Sequence, residues 1–309
     1  LKFKDTDKKV IFLLVGLIFL SPTFRSLAIW PDSRLLGLTL FTFSIYYYLK
    51  FEQNKKFKDC IMNIIFYTLA SYTSPNFSVF SIFFVFKYIS YYKLNGKILI
   101  IVLSNILLSL PAFYYLFVLD VNFLIKSAKI GFQAKENIFF NNLSNQILII
   151  PSIIFFYLIP FFATKVIKIE NIFNIKIVLI SLLIFIISIY FFDYDLKYTG
   201  GGIFFKASNI LFNNNFLFYF LSYLSIYFLV HIIYRKIDNF LIIIILIFSN
   251  PQITIYHKYY DPFMIILLFL ILAVNLVINR LKNLKNFTFK FSYFFIFLLM
   301  NVLKVKNHG

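Results

Sequence analysis

The sequence predicts an all-α polytopic membrane protein, a bundle of about eleven transmembrane helices joined by short outer loops. Two observations carry this. Hydrophobic residues make up 61% of the chain and charged residues 14%, with a mean hydropathy of +0.86. No soluble fold of this length has the interior to hide that much apolar surface, whereas a bilayer accepts it on helices that satisfy their own backbone groups. Apolar runs also recur from end to end, so residues 1–309 read as a single integral membrane domain.

Charged breaks divide the runs into spans at 10–21, 34–50, 59–72, 76–92, 97–119, 146–165, 172–192, 214–234, 239–250, 261–280 and 289–304. The first, third and ninth are short for a hydrocarbon core of ~30 Å. They extend into flanking polar residues or sit where neighbours bury them. Alternate loops then differ in charge. The N-terminus and the loops 50–59, 87–97, 165–176, 234–239 and 280–290 hold two thirds of the 30 Lys and Arg, while the acids divide evenly. By the positive-inside rule these loops and the N-terminus are cytoplasmic, and the C-terminus is outside. The first run resembles a signal-peptide core, yet no small-residue cleavage site follows it. The chain opens on Leu1, and an N-terminally truncated protein is expected.

Composition also excludes function classes. One cysteine, Cys60, rules out a disulfide framework or a cysteine metal site, and with three histidines, at 231, 257 and 308, a histidine-rich metal cage is not expected. The net charge of +18 is spread over short loops rather than gathered in a basic domain, so no nucleic-acid partner is expected. No P-loop, dinucleotide fingerprint, HExxH or GxSxG occurs. Few ionisable residues fall at mid-membrane depth, which argues against an ion-coupled transporter. The Phe, Ile, Asn and Lys content is that of an AT-rich genome, and the inner membrane of a bacterium is the expected location.

The cytoplasmic loops, such as EQNKKFKD at 52–59, read as solvated connectors and topology signals. The outer loops carry the chemistry. SPTFRSLAIWPDSR at 21–34 brings Arg25, Arg34, Asp32 and Trp30 to a membrane boundary. As an interfacial anchor, Trp30 would sit among head groups with the arginines reaching phosphates. As a site, Asp32 would open the next helix and hold a divalent metal, with an arginine gripping a phosphate. SYTSPN at 71–76 reads as a tight connection. FLIKSAKIGF, within the long segment 120–146, fits a short amphipathic helix on the membrane surface.

FFDYDLKYTGGG at 191–202 sets Asp193 and Asp195 two apart beside Lys197 and three glycines, an arrangement suited to a cation or a substrate phosphate. Solvated acids beside a flexible turn are the alternative. SNPQITIYHKYYDPF at 249–263 gathers His257, Lys258, Tyr260 and Asp261. Cationic donors beside tyrosine rings suit a phosphate or a sugar, and such density exceeds what a connector needs.

The order of helix, SPTFRSLAIWPDSR, helix ending IYYYLKF, short helix and SYTSPN resembles the GT-C superfamily of polytopic glycosyltransferases. NPQITIYHKYYDPFMIILLFL is similar to the tyrosine-rich outer loop that leads into a late helix in those enzymes. The resemblance is one of pattern over most of the chain. It implies transfer of a hexosyl or pentosyl unit from a polyprenyl-phosphate-linked donor to a lipid-linked or glycan acceptor on the outer face. In this matching, 10–21 corresponds to a third helix, so the loop bearing the family's usual catalytic acid would precede Leu1. Asp32 falls where the family often has a second acid that assists a metal or donor phosphate, and is the catalytic candidate here. Arg25, Arg34, Lys197, His257 and Lys258 are phosphate partners, and Asp32, Asp193, Asp195 and Asp261 the acids. A lipid-linked saccharide transporter or a non-catalytic membrane scaffold is the alternative.

Overall fold

The computed structural model describes residues 12, 15–29, 32–93, 95–119, 138–167, 174–195, 200–249, 254–271 and 283–308. Their regular structure is helical, as expected. The helices are α1 (Pro22–Ile29), α2 (Ser33–Asn54), α3 (Phe57–Thr73), α4 (Ser81–Tyr92), α5 (Gly96–Phe113), α6 (Ile138–Ala163), α7 (Ile175–Tyr190), α8 (Gly202–Phe212), α9 (Phe216–Arg235), α10 (Ile237–Phe248), α11 (Phe263–Leu270) and α12 (Leu284–His308). Trp30, Lys197, Gln252 and residues 120–137, with the expected amphipathic helix, lie outside the described residues.

Three described helices are long and apolar enough to cross a membrane: Gly96–Val118, Asn142–Ala163 and Phe216–Tyr234. α7, α8 and α10 are apolar but shorter. Exposed aliphatic residues along α5 and α7, such as Leu103, Leu107, Leu183 and Ile187, are what contact with lipid tails requires. Two helices stand where loops were expected. α1 occupies part of 21–34, and α8 follows the glycines, held between Gly201 and a left-handed Asn213.

The chain divides into two compact units: residues 1–2, 31–138 and 241–253, and residues 3–30, 139–240 and 254–309. In the first, α2 and α3 form a hairpin whose turn places Lys55 at φ 54°. The unit is held by shape and by polar bridges, among them the Lys50–Asp59 ion pair between α2 and α3 at 3.4 Å. Phe41 stacks on Phe77 at 4.6 Å and Tyr67 on Phe84 at 5.6 Å. At Gly37 a Cβ would stand 2.7 Å from Thr73 Oγ1, so only glycine permits this approach of α2 to the end of α3. Asn63 of α3 donates to Ser44 O and Ser44 Oγ of α2, each at 2.8 Å, and accepts from the Tyr88 hydroxyl of α4 at 2.9 Å.

In the second unit α6 is the central element. Its Ile149, Ile153, Ile154, Tyr157 and Phe161 are buried, although Pro151 and Pro160 interrupt its backbone ladder. Pro160 has no N–H to offer the Phe156 carbonyl four residues earlier, and the Tyr293 hydroxyl of α12 donates to that carbonyl at 3.1 Å. Ser222 of α9 donates to Leu148 O at 3.3 Å. The turn from α8 to α9 is closed by Ser208, which donates to Asn214 O at 2.7 Å and accepts from Phe218 N at 3.1 Å.

Asn63→Ala removes the amide acceptor of the Tyr88 hydroxyl, leaving it the weakly bonding Cys60 thiol, and cuts both bonds to Ser44, at a cost of ~1–3 kcal/mol. Unfolding of the purified protein in mixed micelles is expected to shift to milder denaturant by that amount, while Ser44→Ala costs less because Asn63 keeps the Ser44 carbonyl.

Candidate functional site

The site grows from a buried carboxylate in the second unit. Ser21 caps α1, its Oγ accepting from Phe24 N at 2.8 Å. The same hydroxyl donates to Asp261 Oδ2 at 2.6 Å, and Thr23 N donates to Asp261 Oδ2 at 3.2 Å. A carboxylate far along the chain thus completes the N-terminus of α1, where negative charge is favoured. The Tyr157 hydroxyl of α6 also hydrogen-bonds Asp261. Burial pushes the carboxyl's pKa up, opposed by the hydrogen bonds from Ser21, Tyr157 and Thr23.

Tyr157 passes the constraint to His257, whose Nε2 lies 2.8 Å from its hydroxyl. Which of the two donates follows from the tautomer of the His257 ring. The other ring nitrogen, Nδ1, is covered and has no hydrogen-bond partner. The ring stands among Phe156, Tyr157 and Phe297, with centroids at 5.2–5.4 Å. Burial, then the charge of Lys206, lower the His257 pKa from 6.5 to about 3, so the ring is neutral at neutral pH.

The glycine triplet joins this loop to α8. Gly201 N donates to Ile255 O at 2.9 Å, and Ile255 N donates to the Tyr194 hydroxyl at 3.2 Å. A Cβ on Gly200 would stand 2.5 Å from the Tyr194 hydroxyl and 2.6 Å from Ile255 O, while Gly201 adopts φ 83°. The close approach expected of the glycines is therefore to the chain's own backbone.

Between α1, α6, α8, α12 and the 254–262 loop lies a cavity of about 500 Å³. Lys206, His257, Lys258 and the first residues of α8 line one part of it; Ile203, Ile210, Ile296, Phe297 and Met300 line another. Tyr293 and Asn301 add polar groups from α12. Lys258 Nζ sits over the Tyr256 ring at 4.7 Å. Among the described lining residues the formal charges are two lysines and no carboxylate. A cationic patch beside an apolar wall suits an amphiphile with an anionic head.

His257 and Lys258 thus meet at the cavity. Asp261 stands behind it as an organiser, and Tyr260 is buried without lining it. Arg25 donates from Nε to Phe19 O at 2.8 Å and does not line the cavity. Asp193 and Asp195 are exposed; Asp193 exchanges backbone hydrogen bonds with the Asn145 side chain. Asp32 and Arg34 belong to the other unit, where Asp32 caps α2 through Arg34 N at 2.8 Å. The Arg34 guanidinium covers both its oxygens, with Nε at 3.1 and 3.0 Å and a terminal nitrogen at 2.5 Å. Both Asp32 oxygens are thus engaged by Arg34 in this arrangement, and among the described residues no group of three His, Cys, Asp or Glu suited to a metal occurs. Lys206, Tyr293 and Asn301 are cavity residues that sequence reasoning did not single out.

Comparison with family models, curated proteins and solved structures finds no match.

Gly200→Ala is expected to cost ~1–3 kcal/mol, the scale of an overpacked contact, read by unfolding in micelles. The His257 pKa carries a pH dependence with a definite sign. The folded ring binds fewer protons than the unfolded one, so its contribution to stability is intact above 6.5 and is lost as pH falls from 6.5 toward about 3. Unfolding midpoints followed between pH 7 and pH 4 should fall less steeply in His257→Gln than in the unsubstituted protein.

Proposed function

We propose that the chain is an integral membrane glycosyltransferase that uses a polyprenyl-phosphate-linked sugar. The supporting observation is the cavity, with two lysines and a helix N-terminus beside Ile210, Ile296 and Met300. A polyprenyl phosphodiester has those two faces: an anionic linkage bearing the sugar and an isoprenoid tail that needs an apolar wall.

In this reading the acceptor hydroxyl attacks the anomeric carbon, the bond from that carbon to the phosphate oxygen breaks, and polyprenyl phosphate leaves with the bonding electrons. The acceptor's proton passes to a base. Lys206 and Lys258 hold the linkage and meet the charge that grows on the departing phosphate. The neutral, covered face of His257 and its aromatic neighbours keep the head group beside an environment of low dielectric, where the lysines act more strongly. The bundle of about eleven spans, with its N-terminus in the cytoplasm and the reaction on the outer face of a bacterial inner membrane, belongs to the same proposal.

The test is sugar transfer in membranes supplied with polyprenyl-phosphate-linked sugars and a panel of acceptors. Transfer is expected from the intact protein, and Lys206→Gln or Lys258→Gln should lower it by ~100-fold, the scale for removing one group that stabilises developing charge. A protein that binds the donor yet transfers nothing across the panel, while moving it between leaflets, is a carrier instead.

A further inference from the structure

A second charged surface lies in the first unit and is independent of the transferase reading. The α2–α3 turn and the α4–α5 turn come to the same end of that unit, as ring contacts between them establish. Lys55 Nζ, after α2, stands 4.9 Å from the centroid of Tyr91 near the end of α4. Lys97 Nζ, in the first turn of α5, stands 5.2 Å from Tyr92 and 6.0 Å from Phe57, the first residue of α3. These turns carry a dense group of lysines. Between residues 50 and 97 the sequence holds two acids, Glu52 and Asp59. Both are engaged within this end, Asp59 by Lys50 at 3.4 Å and Glu52 by Lys55 at 3.4 Å. Lys56, Lys58, Lys93 and Lys97 are exposed and face no carboxylate from those acids.

Charge and rings together identify the partner. Lysines on a water-facing loop need no aromatic neighbours. Here Tyr91 is exposed, with Phe57 and Tyr92 half-buried beside it, and amphipathic rings of this kind settle at the level of lipid head groups. A cation held over such a ring is at phosphate depth. We propose that Lys56, Lys58, Lys93 and Lys97 form a docking rim for the head groups of anionic phospholipids, with Phe57, Tyr91 and Tyr92 setting its depth. The rim uses point charges and no bidentate fork, so it selects on charge rather than on head-group shape.

The full chain in nanodiscs of mixed phosphatidylcholine and phosphatidylglycerol tests this, with retained lipids counted by native mass spectrometry after release into detergent. The unsubstituted protein is expected to keep phosphatidylglycerol over phosphatidylcholine, and the preference should fall by roughly fivefold for each lysine neutralised. The quadruple substitution Lys56→Gln, Lys58→Gln, Lys93→Gln and Lys97→Gln should remove it. The matching quadruple substitution to Arg should preserve it, which separates loss of charge from damage to the fold. Equal retention of the two lipids by the unsubstituted protein, or undiminished preference in the Gln form, overturns the proposal. So does tighter binding of an oligonucleotide than of phosphatidylglycerol, which would make the rim a nucleic-acid surface.

Discussion

A carboxylate taken out of water must be given hydrogen bonds, and Asp261 obtains them from parts of the chain that share no local sequence. Ser21 and Thr23 come from the start of α1, and Tyr157 from the middle of α6. Asp261 is 3% exposed, and with one partner removed a buried carboxyl oxygen would be left short of a hydrogen bond. The constraint therefore works in both directions. It satisfies the anion, and it ties the 254–262 loop to α1 and α6 so that His257 and Lys258 have defined positions. The glycine triplet ties the same loop to α8, which brings Lys206 to the cavity.

The resulting chamber is asymmetric in a way simple electrostatics explains. Asp261 is hydrogen-bonded to Ser21 and Thr23 at the start of α1 and does not line the cavity, whose wall carries Lys206 and Lys258. His257 stays neutral because burial and the neighbouring Lys206 both disfavour its charged form. Positive charge is thus concentrated on two side chains whose stems can lie along apolar walls. Tyr293 serves two purposes at once. It lines the cavity and supplies the donor that Pro160 denies to the Phe156 carbonyl, so α6 carries the proline here without an orphaned backbone group.

Part of this was legible in the sequence. Membrane character follows from apolar runs that no soluble core could hide, and three described helices satisfy the length and composition of a span. Asp32 before an apolar run signals a helix start, and it caps α2. The density of polar groups in 249–263 marked His257 and Lys258, which both line the cavity. The organising role of Asp261 was hidden because its partners, Ser21, Thr23 and Tyr157, are remote in sequence. Lys206 was hidden because one lysine in an apolar stretch has no distinguishing neighbour. A local signal for α8 existed in GGGIFFKASNILFNNN, where glycines precede and asparagines follow a helical run. Reading 192–214 as one loop missed it. The acid pair Asp193 and Asp195 looked like a ligand set by spacing alone, yet Tyr194 between them is the residue turned inward, where its hydroxyl accepts from Ile255 N.

The central claim is that one cavity holds both the phosphate and the tail of a lipid carrier. Photocrosslinking tests it most directly, with a short polyprenyl phosphate that bears a diazirine on its first isoprene units, followed by peptide mapping of the adducts. The account predicts adducts on Ile210, Ile296 and Met300 that are lost in Lys206→Gln and are competed by unlabelled polyprenyl phosphate but not by the parent alcohol. Adducts confined to the lipid-exposed residues of α5 and α7, or equal competition by the alcohol, would contradict it.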